Sequence, residues 1–351
     1  MDDITFNPGG IPDAHDDRDY QLEDVIGMAL PPFDWKQGYD VEEELQTKLH
    51  NLAFHIPVKD QGQSGSCGGQ AWGYYGEVLE ALQTGSFEER SAKFLYAQTF
   101  VPGGGSSGKA NCIVAHKQGW GKEALTRSYD HGNPPTEAFM DRPQDITDAA
   151  RSDAKAAKAL VYAAPNYIDI DSIASATKLI HGTIIGIAGC NNGTWLSQTP
   201  APPTRDKSWW YHWLYVGGAL RINGKKYLLV LNSWGKDVGT NGWQHISEDY
   251  VNTPGAITNV WTIVYDNTVL PQTFTHNFTV PLHKGQTNVE VTALQTALKI
   301  LGYFTVPVTG YYGALTAKAV LAFQVAQGIS PTSDINVGPQ TNAALNGFFN
   351  K

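Results

Sequence analysis

Across residues 71–83 the apolar side chains Trp72, Tyr75, Val78, Leu79 and Leu82 recur at intervals of three and four. That period predicts a helix with one buried face, opening just after Cys67. A second stripe, Val41, Leu45, Leu49 and Leu52, has acids early and Lys48 late, which predicts a surface helix across 42–52. Helical patterns follow near 110–119 and 147–160. The period then changes, and apolar runs at 183–188, 209–220 and 226–231 read as strands. Helices first and strands later is the segregated arrangement of an α+β fold.

Between the last two runs stands Asn223-Gly224, a strong two-residue hairpin signal. Strict pairing around that turn sets residue 215 opposite 232 and leaves His212 on the wrong face to meet Asn232. One extra residue at Gly217-Gly218 corrects the parity, so a bulge is expected there.

The ends of the chain have a different character. Residues 1–27 are acidic with no sustained period, and are read as an arm that either covers a cleft or stays solvated. A main domain spans 28–266, and a Pro-, Thr- and Asn-rich linker 267–281. In the last part, 282–351, a helical stripe of Val291, Leu294, Leu298 and Leu301 precedes a repeated phrase. Gly313-Ala-Leu-Thr316-Ala-Lys-Ala319 returns as Gly338-Pro-Gln-Thr341-Asn-Ala-Ala344, each with a Thr placed to cap a short helix. A small three-helix module is expected.

Composition narrows the function. Against 25 Lys and Arg stand 34 Asp and Glu, a net charge of −9, which opposes a nucleic-acid partner because phosphate binding needs a cationic excess. No apolar run reaches membrane-spanning length, and the start, Met-Asp-Asp-Ile-Thr, lacks the features of a secretory signal. The three cysteines, Cys67, Cys112 and Cys190, form no pairing framework, so no structural disulfide is expected. The histidines show no metal-ligand spacing, and neither metal nor cofactor is expected.

Cys67 lies in Gln61-Gly-Gln-Ser-Gly-Ser-Cys67-Gly-Gly-Gln, directly before the first helix. A thiol nucleophile needs a base, a group that orients the base, and donors for the oxyanion. His212 supplies the base, Asn232 the orienting group, and the Gln61 side chain with the Cys67 amide the donors, while the helix N-terminus and a neighbouring imidazolium would favour the thiolate. Cys112 and Cys190 have no such company and read as core. The competing reading of Cys67 is a buried structural thiol.

These residues resemble the papain-like cysteine peptidases. The resemblance covers roughly residues 28–265 and rests on Pro57-Val-Lys-Asp-Gln61-Gly62, Gly65-Ser66-Cys67, Tyr227-Leu-Leu-Val-Leu-Asn232-Ser233-Trp234-Gly235, Gly239-Thr-Asn-Gly242-Trp and Pro32-Phe33-Asp34-Trp35. His212 and Asn232 stand 145 and 165 residues after Cys67, near the family's spacing of about 130–150 and somewhat long for the Asn. Ser64 and Pro102 occupy the places where the family commonly pairs two cysteines, and Gly68 replaces the usual aromatic residue after the nucleophile. The resemblance implies a two-lobed fold with a helical lobe and an antiparallel β lobe. It also implies a catalytic set of Cys67, His212, Asn232 and Gln61, with Gly104, Gly105 and Trp234 at the substrate cleft. From the residues alone, Gly104 and Gly105 read equally as a flexible loop, and Trp234 as a lid over the His212–Asn232 contact.

The last seventy residues resemble the peptidoglycan-binding module of cell-wall hydrolases, through Leu294-Gln295, Leu301-Gly302-Tyr303, Thr309-Gly310-Tyr311-Tyr312-Gly313, Phe323-Gln324 and Val337-Gly338-Pro339-Gln340-Thr341. This implies that residues 282–351 hold peptidoglycan or a related wall polymer, with Tyr311, Tyr312 and Phe323 either stacking on sugars or forming the module's core. The expected function is a cysteine endopeptidase acting through a Cys67 thioester on protein or peptide, outside the cell or at the wall. The alternatives are a transpeptidase or acyl transferase on wall or surface peptides, and a wall-binding protein with a vestigial peptidase fold.

Overall fold

A computed structural model of the chain describes residues 8–129, 132–159, 161–264, 274–306 and 308–349. Its strands are β1 (Gly10–Ile11), β2 (Tyr39–Asp40), β3 (Ser106–Ser107), β4 (Val161–Ala163), β5 (Thr183–Cys190), β6 (Trp209–Ile222), β7 (Lys225–Leu231), β8 (Trp243–Ser247) and β9 (Ile257–Val264). The helices run α1 (Leu22–Ile26), α2 (Val41–Lys48), α3 (Cys67–Thr84), α4 (Ala92–Tyr96), α5 (Gly108–Lys117), α6 (Glu137–Met140), α7 (Asp148–Ala154), α8 (Ile170–Leu179) and α9 (Glu248–Val251). After them come α10 (Val289–Ile300), α11 (Ala314–Ala326) and α12 (Pro339–Phe349). The fold is α+β, with the helices of 67–154 ahead of strands β4 to β9 in sequence.

The chain divides into two compact units, the first holding residues 8–19 and Leu30–Ile263, the second Tyr20–Ala29 and the described residues after Ile263. In the first unit the sheet order is β4-β9-β5-β6-β7-β8, with β2 on β6. β5 is apolar and buried along its whole length because β6 and β9 flank it and the sheet is covered on its faces. Ile185, Ile187, Leu214, Val216, Val230 and Ile246 pack with Ile173 of α8 and with Tyr250. Each such aliphatic side chain contributes about 1.5–3 kcal/mol on burial.

The β6–β7 hairpin turns at Asn223 and Gly224, with φ of 49° and 83°, which closes the tight turn without splaying the strands. Tyr215 pairs with Leu231 and Val216 with Val230, but Gly218 pairs with Leu229. Gly217 is the extra residue that parity required. The bulge turns His212 to the face on which Asn232, the residue after β7, can meet it.

α3 carries the helical side of this unit, burying Trp72, Tyr74, Tyr75 and Val78. Trp72 meets Trp213 of β6 edge to face at 5.4 Å, which joins the helix to the sheet beside the thiol. Lys59, just ahead of Gln61, is buried and pairs with Glu77 of α3 at 2.6 Å; the same carboxylate accepts the Arg90 amide at 2.7 Å. Glu77→Ala strands a buried ammonium, and is expected to cost about 3–5 kcal/mol. An unchanged urea midpoint would show that Lys59 finds water or another acceptor.

In the second unit α10, α11 and α12 bury Val291, Leu294, Leu298, Val320, Phe323 and Leu345, and α1 adds Leu22 and Val25. The repeated threonines do not cap. α11 starts at Ala314 with Gly313 before it, so Thr316 lies inside the first turn, and Thr341 likewise in α12. Each receives a glutamine amide from the preceding helix, Gln295 Nε2 to Thr316 Oγ1 and Gln324 Nε2 to Thr341 Oγ1, both at 2.9 Å. The phrase is therefore a buried Gln–Thr latch used twice. Tyr312 and Phe323 are wholly buried and belong to the module's core. Of the expected linker, residues 267–273 lie outside the described residues, and 274–281 carry neither helix nor strand.

Candidate active site

Gln61 enters the site on a loop held to the segment after β7: its amide donates to the Ser233 carbonyl at 2.8 Å, and Asp60 bridges to Trp234. The loop ends at Cys67, the first residue of the 18-residue helix α3. The Cys67 sulfur faces main-chain N–H groups of Trp213, Gly9 and Gly68 as well as its own. Helix N-terminus and strand β6 thus converge on one sulfur, and His212 is the neighbour of Trp213 on that strand.

The His212 ring is held in one tautomer. Asn232 Oδ1 accepts the Ser233 main-chain N–H at 2.7 Å, so the oxygen end of the amide is fixed by a group that can only donate. Asn232 Nδ2 donates to Gln244 Oε1 at 2.9 Å, and Gln244 in turn donates to the Trp195 and Ser197 carbonyls at 2.9 and 2.8 Å. His212 Nε2, 2.9 Å from Asn232 Oδ1, must therefore carry a proton. Nδ1 is left as the basic nitrogen, buried and without a hydrogen-bond partner. Trp234 covers this pair, its ring centroid 4.5 Å from that of His212, and packs edge to face on both Trp195 and Trp210.

Gln61 is fully buried; its Nε2 donates to the Ser64 carbonyl at 2.9 Å and its Oε1 accepts the Ser233 hydroxyl at 2.7 Å. The Gly104–Gly105 stretch is tied across from it. Glu137 accepts the Gly65 amide at 2.6 Å and the Tyr96 hydroxyl, and Tyr96 in turn accepts the Gly105 amide at 2.8 Å. The Gly65 and Gly105 amides are thus tied together through Glu137 and Tyr96. Cys67, Cys112 and Cys190 are free and buried. Among the described residues no three His, Cys, Asp or Glu side chains gather as a metal cluster, and no helix is long and apolar enough to cross a membrane.

Gly9 and Gly10, which the sequence did not single out, lie at the site, Gly9 against the thiol and Gly10 against the Tyr211–His212 backbone. β1 (Gly10–Ile11) runs parallel to β3, the Ser106 amide donates to the Gly9 carbonyl at 2.9 Å, and the Gly9 amide faces the Cys67 sulfur. Behind them the arm is pinned by its acids: Asp13 accepts the Lys109 amide at 3.0 Å and the Trp261 indole at 2.8 Å, while Lys109 Nζ reaches Asp16 at 2.8 Å and Asp19 at 2.6 Å. Cys67 and His212 are fully covered. Their electrostatics consequently depart from expectation. Burial pushes the Cys67 thiol up to about 12 and the His212 imidazole down to about 4, so desolvation outweighs the helix N-terminus and both groups are neutral in this form.

The solved structure of xylellain, a cysteine protease from Xylella fastidiosa, matches 73% of this chain and 95% of its own at 22% identity, with a TM-score of 0.58. The proform of Amb a 11, a ragweed pollen cysteine protease, matches at 19% identity and a TM-score of 0.51, covering 67% of this chain and 66% of that one. The first unit has the papain-like fold. Residues 287–345 match the family described as "Putative peptidoglycan binding domain". No curated protein matches the chain. On the papain-like frame, the positions brought together are Cys67, His212, Asn232 and Gln61, with Trp234 over them and Gly105 beside the arm. Gln244 and Trp195, which hold the Asn232 amide and shield it, were missed; a Gln two residues after Gly242 carried no signal of its own.

Proposed function

We propose that the chain is a cysteine endopeptidase, held covered by residues 8–19 of its own arm and directed to cell-wall polymer by its C-terminal module. The observation that carries this reading is the His212 tautomer, locked by Asn232 so that its basic Nδ1 is left without a partner on the strand that abuts the Cys67 sulfur. Once the cleft is open, the Cys67 proton passes to His212 and the thiolate attacks a peptide carbonyl. The Gln61 carboxamide and the Cys67 amide hold the oxyanion. The C–N bond breaks as His212 returns the proton to the leaving amine, leaving a thioester. Water then adds through His212, the C–S bond breaks, and the acid product departs.

The papain-like fold supports the hydrolase class, and the match over 287–345 supports a wall polymer as the anchor and the wall or cell exterior as the place of action. The substrate is then surface protein or the peptides of the wall. Incubation of the full chain, and of Gly9→Ala to withdraw the arm, with denatured protein and with purified murein under reducing conditions tests this. New amino termini are expected from the variant at more than about ten times the rate of the parent. Wall sedimentation without new termini from either substrate would leave a binding protein.

A further inference from the structure

We propose that the cleft at Cys67 is a glycyl-glycine filter, admitting beside the thiol only two consecutive residues without side chains, so that the substrate is a peptide containing a Gly-Gly pair. This rests on the cysteine peptidase reading. The template is the chain's own Gly9-Gly10. A Cβ on Gly9 would lie 1.8 Å from the Gly65 oxygen and 2.3 Å from its carbonyl carbon; on Gly10 it would lie 2.6 Å from the His212 nitrogen and 2.7 Å from the Tyr211 carbonyl carbon. A Cβ on Gly105 would in turn meet the Gly9 oxygen at 2.6 Å. All these neighbours are main chain, so no rotamer change opens the space.

The walls are also fixed. Tyr211 and His212 pair with Ala188 and Ile187 of β5, and Gly65 and Gly105 are tied through Glu137 and Tyr96. Backbone conformation gives no other reason for glycine here, because neither Gly9 nor Gly10 has the positive φ that an L residue avoids. Space alone demands it. Beyond the pair the constraint ends, with Ile11 half-buried and Pro12 exposed. In the arm, Gly9 turns its N–H to the sulfur and its carbonyl to Ser106.

The test uses the full chain carrying Gly9→Ala, with Gly10→Ala as an independent open form should the first fail to fold. Peptides differing only in a central Gly-Gly, Ala-Gly, Gly-Ala or Ala-Ala pair are compared for kcat/KM and for protection of Cys67 from alkylation. A Gly-Gly preference of at least about 10²-fold is expected, since the Cβ has nowhere to go. Equal cleavage of Ala-Ala overturns the filter and leaves the peptidase reading intact. Protection by Gly-Gly alone with no turnover of any peptide supports the filter and sinks the peptidase reading. Neither turnover nor selective protection overturns both.

Discussion

Cys67→Ala, made in a full chain whose arm is withdrawn by Gly9→Ala, is expected to lower peptide hydrolysis by about 10⁴–10⁶-fold. Removing a nucleophile that works with its base as one unit costs nearly the whole chemical acceleration, because the remaining donors have no covalent step to stabilise. The two other cysteines cannot substitute, being buried and apart from His212 in the sheet and helix cores. The fold should be little changed, since Cys67 contributes one small side chain at a helix start. Amino-terminal release by the double variant and by Gly9→Ala alone gives the comparison. A loss of less than tenfold would place the nucleophile elsewhere and remove the reading built on His212 and Asn232.

Uncovering the thiol should itself have a large effect. With the thiol pushed up to about 12, the thiolate fraction at pH 7 is about 10⁻⁵; an open site with an ordinary cysteine at about 8.5 has a few per cent. Alkylation of Cys67 at neutral pH is therefore expected to speed up by about 10³-fold in Gly9→Ala. The imidazole carries the opposite sign. Its value in the covered form is depressed from 6.5 to about 4, so an exposed ring binds its proton first and the covered form loses stability as pH falls from about 6.5 to about 4. Below that window both forms are protonated and no further loss arises from this group. Asp16, held well below the usual carboxylate range by Arg18 and Lys109, stays ionised throughout and keeps its anchor. Alkylation rates of parent and variant measured from pH 5 to 9 decide the matter. Equal rates at pH 7 would mean that the arm does not protect the sulfur.

Much of the site could be read from local pattern. The period of Trp72, Tyr75, Val78 and Leu79 placed Cys67 at a helix start, and Asn223-Gly224 fixed a hairpin whose parity demanded the bulge found at Gly217. Such features depend on residues a few positions apart, where sterics and periodicity act directly. Gly9-Gly10 escaped because glycine carries no side-chain pattern, and its partners Gly65, Ser106 and His212 are distant in sequence. The same holds for ionisation: a helix N-terminus is visible in the sequence, but the desolvation that overrides it depends on what lies on top. Thr316 and Thr341 were misplaced for a related reason. Capping is a local rule, and the Gln–Thr latch that displaced it joins separate helices.

The helix α1, with Leu22 and Val25 buried in the unit built mainly from residues after Ile263, bears on how the chain is made. About 290 residues separate it from α11, and at ribosomal rates of about 5–20 residues per second that is about 15–60 s of synthesis. Throughout that interval its two apolar side chains wait without their final neighbours. A ribosome that stalls before Ala314 releases a chain still displaying them, and chaperones and proteases read that surface as a sign of incompleteness. The second unit joins segments far apart in the chain, so its assembly waits until α11 has been made.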